Sequence, residues 1–180
     1  IRDLVRSRGL GDVYKRQFLN YAKHYDFEAT IVRYHNTFGP DMGFKSVIPH
    51  LVERFKNNES PFKVYGHDQT RAFSYVDDTV EGSVLAMESD KASGEIFHIG
   101  NSQEISIGEL VKAVGELMGY SGEYQEAPTY PGSVSRRCPD ISKAKRVLGY
   151  IPKVDWKIGL ESTVEWYKDY FSKNGSARQD

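Results

Sequence analysis

"EATIVRYHNTFGPDMG" (residues 28–43) decides how this chain folds. Its first nine residues form an apolar run with β-branched Ile31 and Val32, which predicts a strand over 28–36. The next seven break regular structure, because Pro40 has no backbone N–H and Gly39 and Gly43 open turn conformations. Then "FKSVIPHLVERFKNN" (44–58) repeats apolar residues at helical spacing, Val47, Leu51 and Phe55 on one row and Ile48 and Val52 on the next. Pro49 falls early enough in that helix to be tolerated. Strand, Gly/Pro loop and helix in that order make an α/β unit.

The alternation continues in both directions. Upstream, "FLNYAKHYDF" (18–27) reads as the end of a helix. Downstream, 61–66 and 71–76 read as strands and 77–89 as a helix with Asp77 and Asp78 in its first turn, where carboxylates suit the helix dipole. "GEIFHIGN" (94–101) is a strand between glycines. Ser106 and Glu109 form a Ser-x-x-Glu capping box at the head of a helix over 106–119. A short strand is expected in "GEYQEAP" and a loop over 129–140. A short helix over 141–150 is closed by Gly149. A last helix ends the segment 153–171, with Ile158, Leu160, Val164 and Tyr167 inward, and 172–180 is expected to fray.

Composition narrows the function classes. Aromatic residues at 13% and apolar residues at 39% describe a folded globular chain, not a disordered one. The net charge of −1 leaves no basic footprint for nucleic acid. No apolar run approaches the roughly 18 residues of a membrane span, so no membrane partner is expected. One cysteine, Cys138, excludes an internal disulfide and fits a reduced, cytoplasmic setting. The five histidines (24, 35, 50, 67, 98) lack metal-ligand spacing, and no metal is expected.

Four segments resemble a known family in the family's own order. "RYHNTFGP" (33–40) resembles the R-x-x-N-x-[YF]-G-P segment of extended short-chain dehydrogenases/reductases, the NAD-dependent sugar-nucleotide epimerases and dehydratases. "FKVYGHDQTRAFSYVDD" (62–78) resembles the block ending in R-x-[FY]-x-[YHF]-V-x-D. "GEIFHIGN" is similar to G-x-x-[FY]-[NH]-[IV]-G-[NS]. The run from Pro131 to Tyr167 resembles the C-terminal block, with "DISKAKRVLGYIPK" (140–153) and "GLESTVEWY" (159–167) at its centre. The blocks span about residues 18–171.

The resemblance implies a fold and a site. The fold is the C-terminal part of a Rossmann-type protein, the last strands of its parallel sheet interleaved with a small α/β substrate-binding region. The ligand implied is a nucleotide-diphosphate sugar, UDP- or dTDP-linked, whose diphosphate wants arginine forks and amide donors. Asn36 resembles the substrate-contacting Asn at a strand end, where an open α/β sheet binds its ligand. Arg71 resembles the diphosphate-binding Arg, and Arg136 or Arg137 a second cation for it. Lys45 and Ser46 resemble nucleotide contacts at a helix start. Lys63, Val64 and Tyr65 resemble the strand beside the base. The loop departs from the pattern at Gly132-Ser133, where many relatives have Gly-Asp for a ribose contact. Asp140 is expected to cap the helix after it. His35 is read as a satisfied structural imidazole, not a base.

The family's NAD turn, G-x-x-G-x-x-G, and its Tyr-x-x-x-Lys proton-transfer pair are not found in the chain. The pair belongs near residues 7–11, which read Ser-Arg-Gly-Leu-Gly. Residues 1–17 carry +3 within a chain of net −1 and resemble a translated adapter sequence. They are expected to be foreign and disordered. The parent protein is then expected to be a 4-epimerase or 4,6-dehydratase passing through a 4-keto sugar. A decarboxylase ranks third, and a non-catalytic family member or an inert fragment remain as alternatives. NAD, or NADP, is expected to be bound mainly by an N-terminal half, and the parent to be a homodimer. No catalytic residue is expected in the chain itself.

Overall fold

The computed structural model describes residues 10–175. Six helices are formed: α1 (Leu10–Tyr25), α2 (Val47–Lys56), α3 (Val76–Glu88), α4 (Ile107–Leu117), α5 (Ser142–Leu148) and α6 (Trp156–Asn174). Nine short strands join them: β1 (Ile31–Tyr34), β2 (Thr37–Phe38), β3 (Phe62–Tyr65), β4 (Thr70–Ala72), β5 (Ser74–Tyr75), β6 (Ile96–Ile99), β7 (Glu104–Ser106), β8 (Tyr124–Ala127) and β9 (Arg136–Arg137). Parallel pairs β1–β6, β2–β5 and β3–β8 are each bridged by helical crossovers. A mixed sheet of order β7–β4–β9 completes the α/β architecture.

Two apolar cores hold these elements. The larger packs α2, α4 and α6 on β3, with Phe55 stacked on Phe62 at 3.8 Å between centroids. The smaller gathers Phe97, Ile99, Ala86, Leu148 and Tyr150, and the Tyr150 hydroxyl donates to the Gly100 carbonyl at 2.9 Å. The capping box forms as read: Glu109 N donates to Ser106 Oγ at 3.0 Å, and Ser106 N to Glu109 Oε2 at 2.6 Å. Gly149 closes α5 in the left-handed conformation, φ 68°. Among the described residues no helix is long and apolar enough to cross a membrane.

Four expectations change. Residues 10–17, expected to be disordered, continue 18–25 as one helix, in which Gly11 falls next to the start, where a glycine disturbs it least. Residues 1–9 lie outside the described residues. The last helix runs through Asn174, so the fraying expected from 172 does not begin there, and 176–180 lie outside the described residues. Ile158 faces outward, 64% exposed, because α6 turns Trp156, Leu160, Val164 and Tyr167 to the core. The 129–140 loop contains strand β9, and β7 precedes α4.

Tyr167 gives the core an alkaline limit. Its ring is fully buried, its hydroxyl donates to the Met42 carbonyl, and burial pushes its pKa up to about 12. Below pH 10 the phenol is neutral in both folded and unfolded chains. Between about pH 10 and 12 only the unfolded chain ionises it, and stability falls. Urea midpoints measured from pH 8 to 12 should fall more steeply for wild type than for Tyr167→Phe. At pH 8 the variant should lose about 1 kcal/mol for the unmade hydrogen bond.

Candidate functional site: a carboxylate-free arginine pair under a tethered loop

Strands β4 and β9 lie side by side with Arg71 in register with Arg137. Like charges at paired positions repel. Among the described residues neither is matched by a carboxylate. Burial, then the Arg137 charge, pulls the Arg71 guanidinium below its ordinary value. Arg136 behaves differently. Its guanidinium grips Glu104 through both carboxylate oxygens at 2.5–3.1 Å, and Thr70 Oγ1 donates to the same carboxylate at 2.9 Å. That grip, Arg136 first, holds the Glu104 carboxyl below its usual range. Sequence left Arg136 and Arg137 equal; Glu104, distant in the chain, separates them.

Asn36 approaches β4 from the short connection between β1 and β2. It adopts a left-handed backbone, φ 43°, which Asn tolerates better than most residues. Its Nδ2 donates to the Ala72 carbonyl at 2.9 Å, and its own carbonyl accepts from Ser74 N at 3.2 Å. The side chain is therefore fixed beside Arg71's strand with its Oδ1 left as an acceptor.

Strand β3 is braced from α2. Arg54 from α2 donates to Glu59 at 2.6 and 2.7 Å and to the Lys63 carbonyl at 2.6 Å, while its guanidinium lies 4.2 Å from the Phe62 centroid. Arg54 holds the Glu59 carboxyl below its usual range. Side chains alternate along β3: Phe62 and Val64 are buried, Lys63 and Tyr65 exposed. Val64 is thus a core residue. Tyr65 stacks on Tyr130 of loop 128–135, with centroids 5.4 Å apart and planes 23° apart. Tyr130 was missed in the sequence, where a lone Tyr in a loop carries no signal. Lys45 is exposed and Ser46 half-buried at the head of α2, where the Ser46 side chain makes no cap bond. They are placed by α2, whereas Tyr65, Arg71 and Arg137 are joined through loop 128–135 and β9.

His35 is not the satisfied imidazole expected. Its Nε2 is buried without a hydrogen-bond partner, as is Nδ1 of His98, and the rings lie 4.7 Å apart. Burial, then the neighbouring charges of His98, Arg33 and Arg137, lower the His35 pKa. Burial and then Arg33 lower that of His98, with Asp140 opposing. Asp140 accepts from Ser142 N at 2.9 Å, but it stands one residue before the cap expected of it: Ile141 is the N-cap of α5, and no side chain caps that helix. Burial, then Glu104, pushes the Cys138 thiol up, away from nucleophilic character. Among the described residues no three His, Cys, Asp or Glu side chains converge to hold a metal.

Comparison with known proteins matches residues 13–163 to the family described as GDP-mannose 4,6 dehydratase. The chain is 35% identical over 150 residues to a UDP-N-acetyl-alpha-D-glucosaminuronate decarboxylase of Bacillus cytotoxicus, covering 78% of this chain and 46% of that protein. The structure is similar to the UDP-glucose 4-epimerase of Thermotoga maritima solved with UDP-glucose: TM-score 0.76, 32% identity, 86% of this chain and 51% of that one. It is also similar to the UDP-glucuronic acid 4-epimerase of Bacillus cereus in complex with UDP-glucuronic acid and NAD: TM-score 0.74, 30% identity, 83% and 48% covered. The chain spans about half the length of these relatives.

Proposed function

The chain belongs to the GDP-mannose 4,6 dehydratase family, within the extended short-chain dehydrogenases/reductases, and on that premise we propose that it carries the nucleotide-sugar-binding part of a sugar-nucleotide epimerase or dehydratase. The observation that carries this reading is the Arg71–Arg137 pair, two adjacent cations without a carboxylate among the described residues. A diphosphate supplies the missing charge and matches planar guanidinium forks. Asn36 Oδ1, beside Arg71's strand, accepts a sugar hydroxyl. Tyr65 on the braced β3 flanks the base, with Lys63 on the same exposed face. Lys45 and Ser46 complete the nucleotide contacts from the head of α2. Arg136 is assigned to the fold through Glu104 and leaves the ligand set.

The family's cofactor is a different matter. Among the described residues no glycine-rich strand-to-helix turn is built to take the NAD pyrophosphate, and the helix heads at Val47, Val76, Ile107 and Trp156 follow other sequences. No NAD contact is therefore assigned to these residues and no hydride step is routed through them. Their work is to bind the diphosphate, fix the sugar's orientation and seat the base.

The test separates the two neighbouring arginines. UDP-glucose and dTDP-glucose are titrated against wild type, Arg137→Ala and Arg136→Ala. Arg137→Ala should weaken binding by about 10-fold or more, the loss of a charge-assisted hydrogen bond. Arg136→Ala should stay within about 2-fold. The reverse ranking, or no effect of either, removes the pair as the diphosphate site.

A further inference from the structure

Arg71 has no free fork in this structure. Nη1 donates to the carbonyls of Thr70 at 2.7 Å and Ser135 at 3.3 Å, and Nη2 to Gln69 Oε1 at 3.0 Å and the Val134 carbonyl at 2.8 Å. A guanidinium has five N–H donors, and only Nε–H is left over. A bidentate oxyanion contact needs two parallel donors, either both Nη groups or Nε with one Nη. Either way it must displace a carbonyl already bound. Two of the four acceptors, Val134 and Ser135, belong to loop 128–135.

The loop has few other attachments. Gln69 donates through Nε2 to Thr129 Oγ1 at 3.0 Å and accepts from Ser133 Oγ at 2.9 Å. Thr70 N donates to the Ser135 carbonyl at 2.9 Å. Tyr130, 66% exposed, contributes its stack on Tyr65. Residues 129–135 are otherwise exposed and bury no apolar core. The loop is thus held by one aromatic stack and by polar contacts shared between Gln69, the Thr70 amide and Arg71, the last being the side chain that the ligand needs.

We propose that Arg71 is a latch as well as a ligand group: it holds loop 128–135 against β3 and β4, and an incoming diphosphate releases the loop by taking those donors. This rests on the diphosphate reading of Arg71. A phosphate oxyanion competes well, since its full charge makes a stronger acceptor than a carbonyl. Ligand binding and loop opening are then linked, and every contact that keeps the loop shut opposes binding.

That linkage gives a counter-intuitive result. In the full 180-residue chain, Tyr130→Ala removes the stack and Ser133→Ala removes a tie to Gln69. Each should bind UDP about 2- to 10-fold more tightly than wild type, by the share of loop closure that it removes. Unchanged or weaker binding overturns the latch. In particular, Tyr130→Ala weakened toward UDP but not toward inorganic pyrophosphate makes Tyr130 a base contact instead. Hydrogen exchange supplies a second arm. Saturating pyrophosphate should speed amide exchange in loop 128–135 several-fold. In Arg71→Ala exchange there should be fast already, without response to pyrophosphate. Slowed or unchanged exchange in wild type overturns the proposal. If wild type binds neither UDP nor pyrophosphate, the diphosphate reading itself fails and the release falls with it. If only the latch is wrong, UDP binding persists and is not tightened by Tyr130→Ala or Ser133→Ala.

Discussion

Arg71→Ala weakens UDP-glucose binding by roughly 10- to 150-fold, the expected result for a guanidinium that makes charge-assisted bonds of about 1.5–3 kcal/mol to a diphosphate. The site explains why the loss is large. Arg71 is half-buried, and its neighbour Arg137 on β9 repels it with no carboxylate to compensate among the described residues. A bound dianion relieves that repulsion as well as filling the fork. Loss of the latch returns a few-fold, because the ligand no longer has to open loop 128–135, and this sets the result toward the lower part of the range. Arg71→Lys should recover only part of the affinity, since an ammonium offers a point charge where a planar fork is needed. Titration of UDP-glucose against the three proteins measures this, with circular dichroism confirming that each is folded. Equal affinity in wild type and Arg71→Ala would reduce Arg71 to a loop tether and remove the strongest link between this sequence and a diphosphate.

The helices of this fold were legible because periodicity and end signals agree. Ser106 and Glu109 announced the head of α4, and the Val47–Leu51–Phe55 row announced the buried face of α2. Two- and three-residue strands carry no such period. β9 is only Arg136–Arg137, which reads as a polar loop until β4 pairs with it. The same distance effect hides the difference between the two arginines, because Glu104 reaches only one of them. Ile158 belongs to an apolar pattern by composition, but the helix phase set by Trp156 and Leu160 turns it outward. At the candidate site the residue types suited to a diphosphate could be picked out of the sequence, while the bonds they already make could not. No local pattern tells that the four terminal donors of Arg71 are already spent on backbone and side-chain oxygens.

Asp78 shows the gap at its widest and carries the largest expected effect on stability. In sequence it is one of two carboxylates in the first turn of α3, suited to the helix dipole, an effect worth about 0.3–1 kcal/mol. In the structure it is 2% exposed, and its two oxygens accept from Lys153 N at 2.8 Å and Val154 N at 3.1 Å. It therefore ties α3 to the segment that leads into α6, and so couples the two apolar cores. Removing it breaks two charge-assisted bonds and leaves two backbone donors to find water in a half-buried site. Such bonds contribute about 1.5–3 kcal/mol each, so Asp78→Ala should lose roughly 3–5 kcal/mol, a large share of the 5–15 kcal/mol of a typical domain. At about 2–4 °C per kcal/mol for a chain of this size, the melting temperature should fall by roughly 6–20 °C. Asp78→Asn keeps one oxygen and should lie between. Asp77, exposed in the same turn, is the internal control: it shares the dipole but lacks the tether, and Asp77→Ala should lose less than about 1 kcal/mol. Urea unfolding of the three variants separates the two causes, because the dipole acts on both residues and the tether on one. Equal losses for Asp77→Ala and Asp78→Ala would reduce Asp78 to a helix-end charge and leave the junction of α3 with α6 to apolar packing alone.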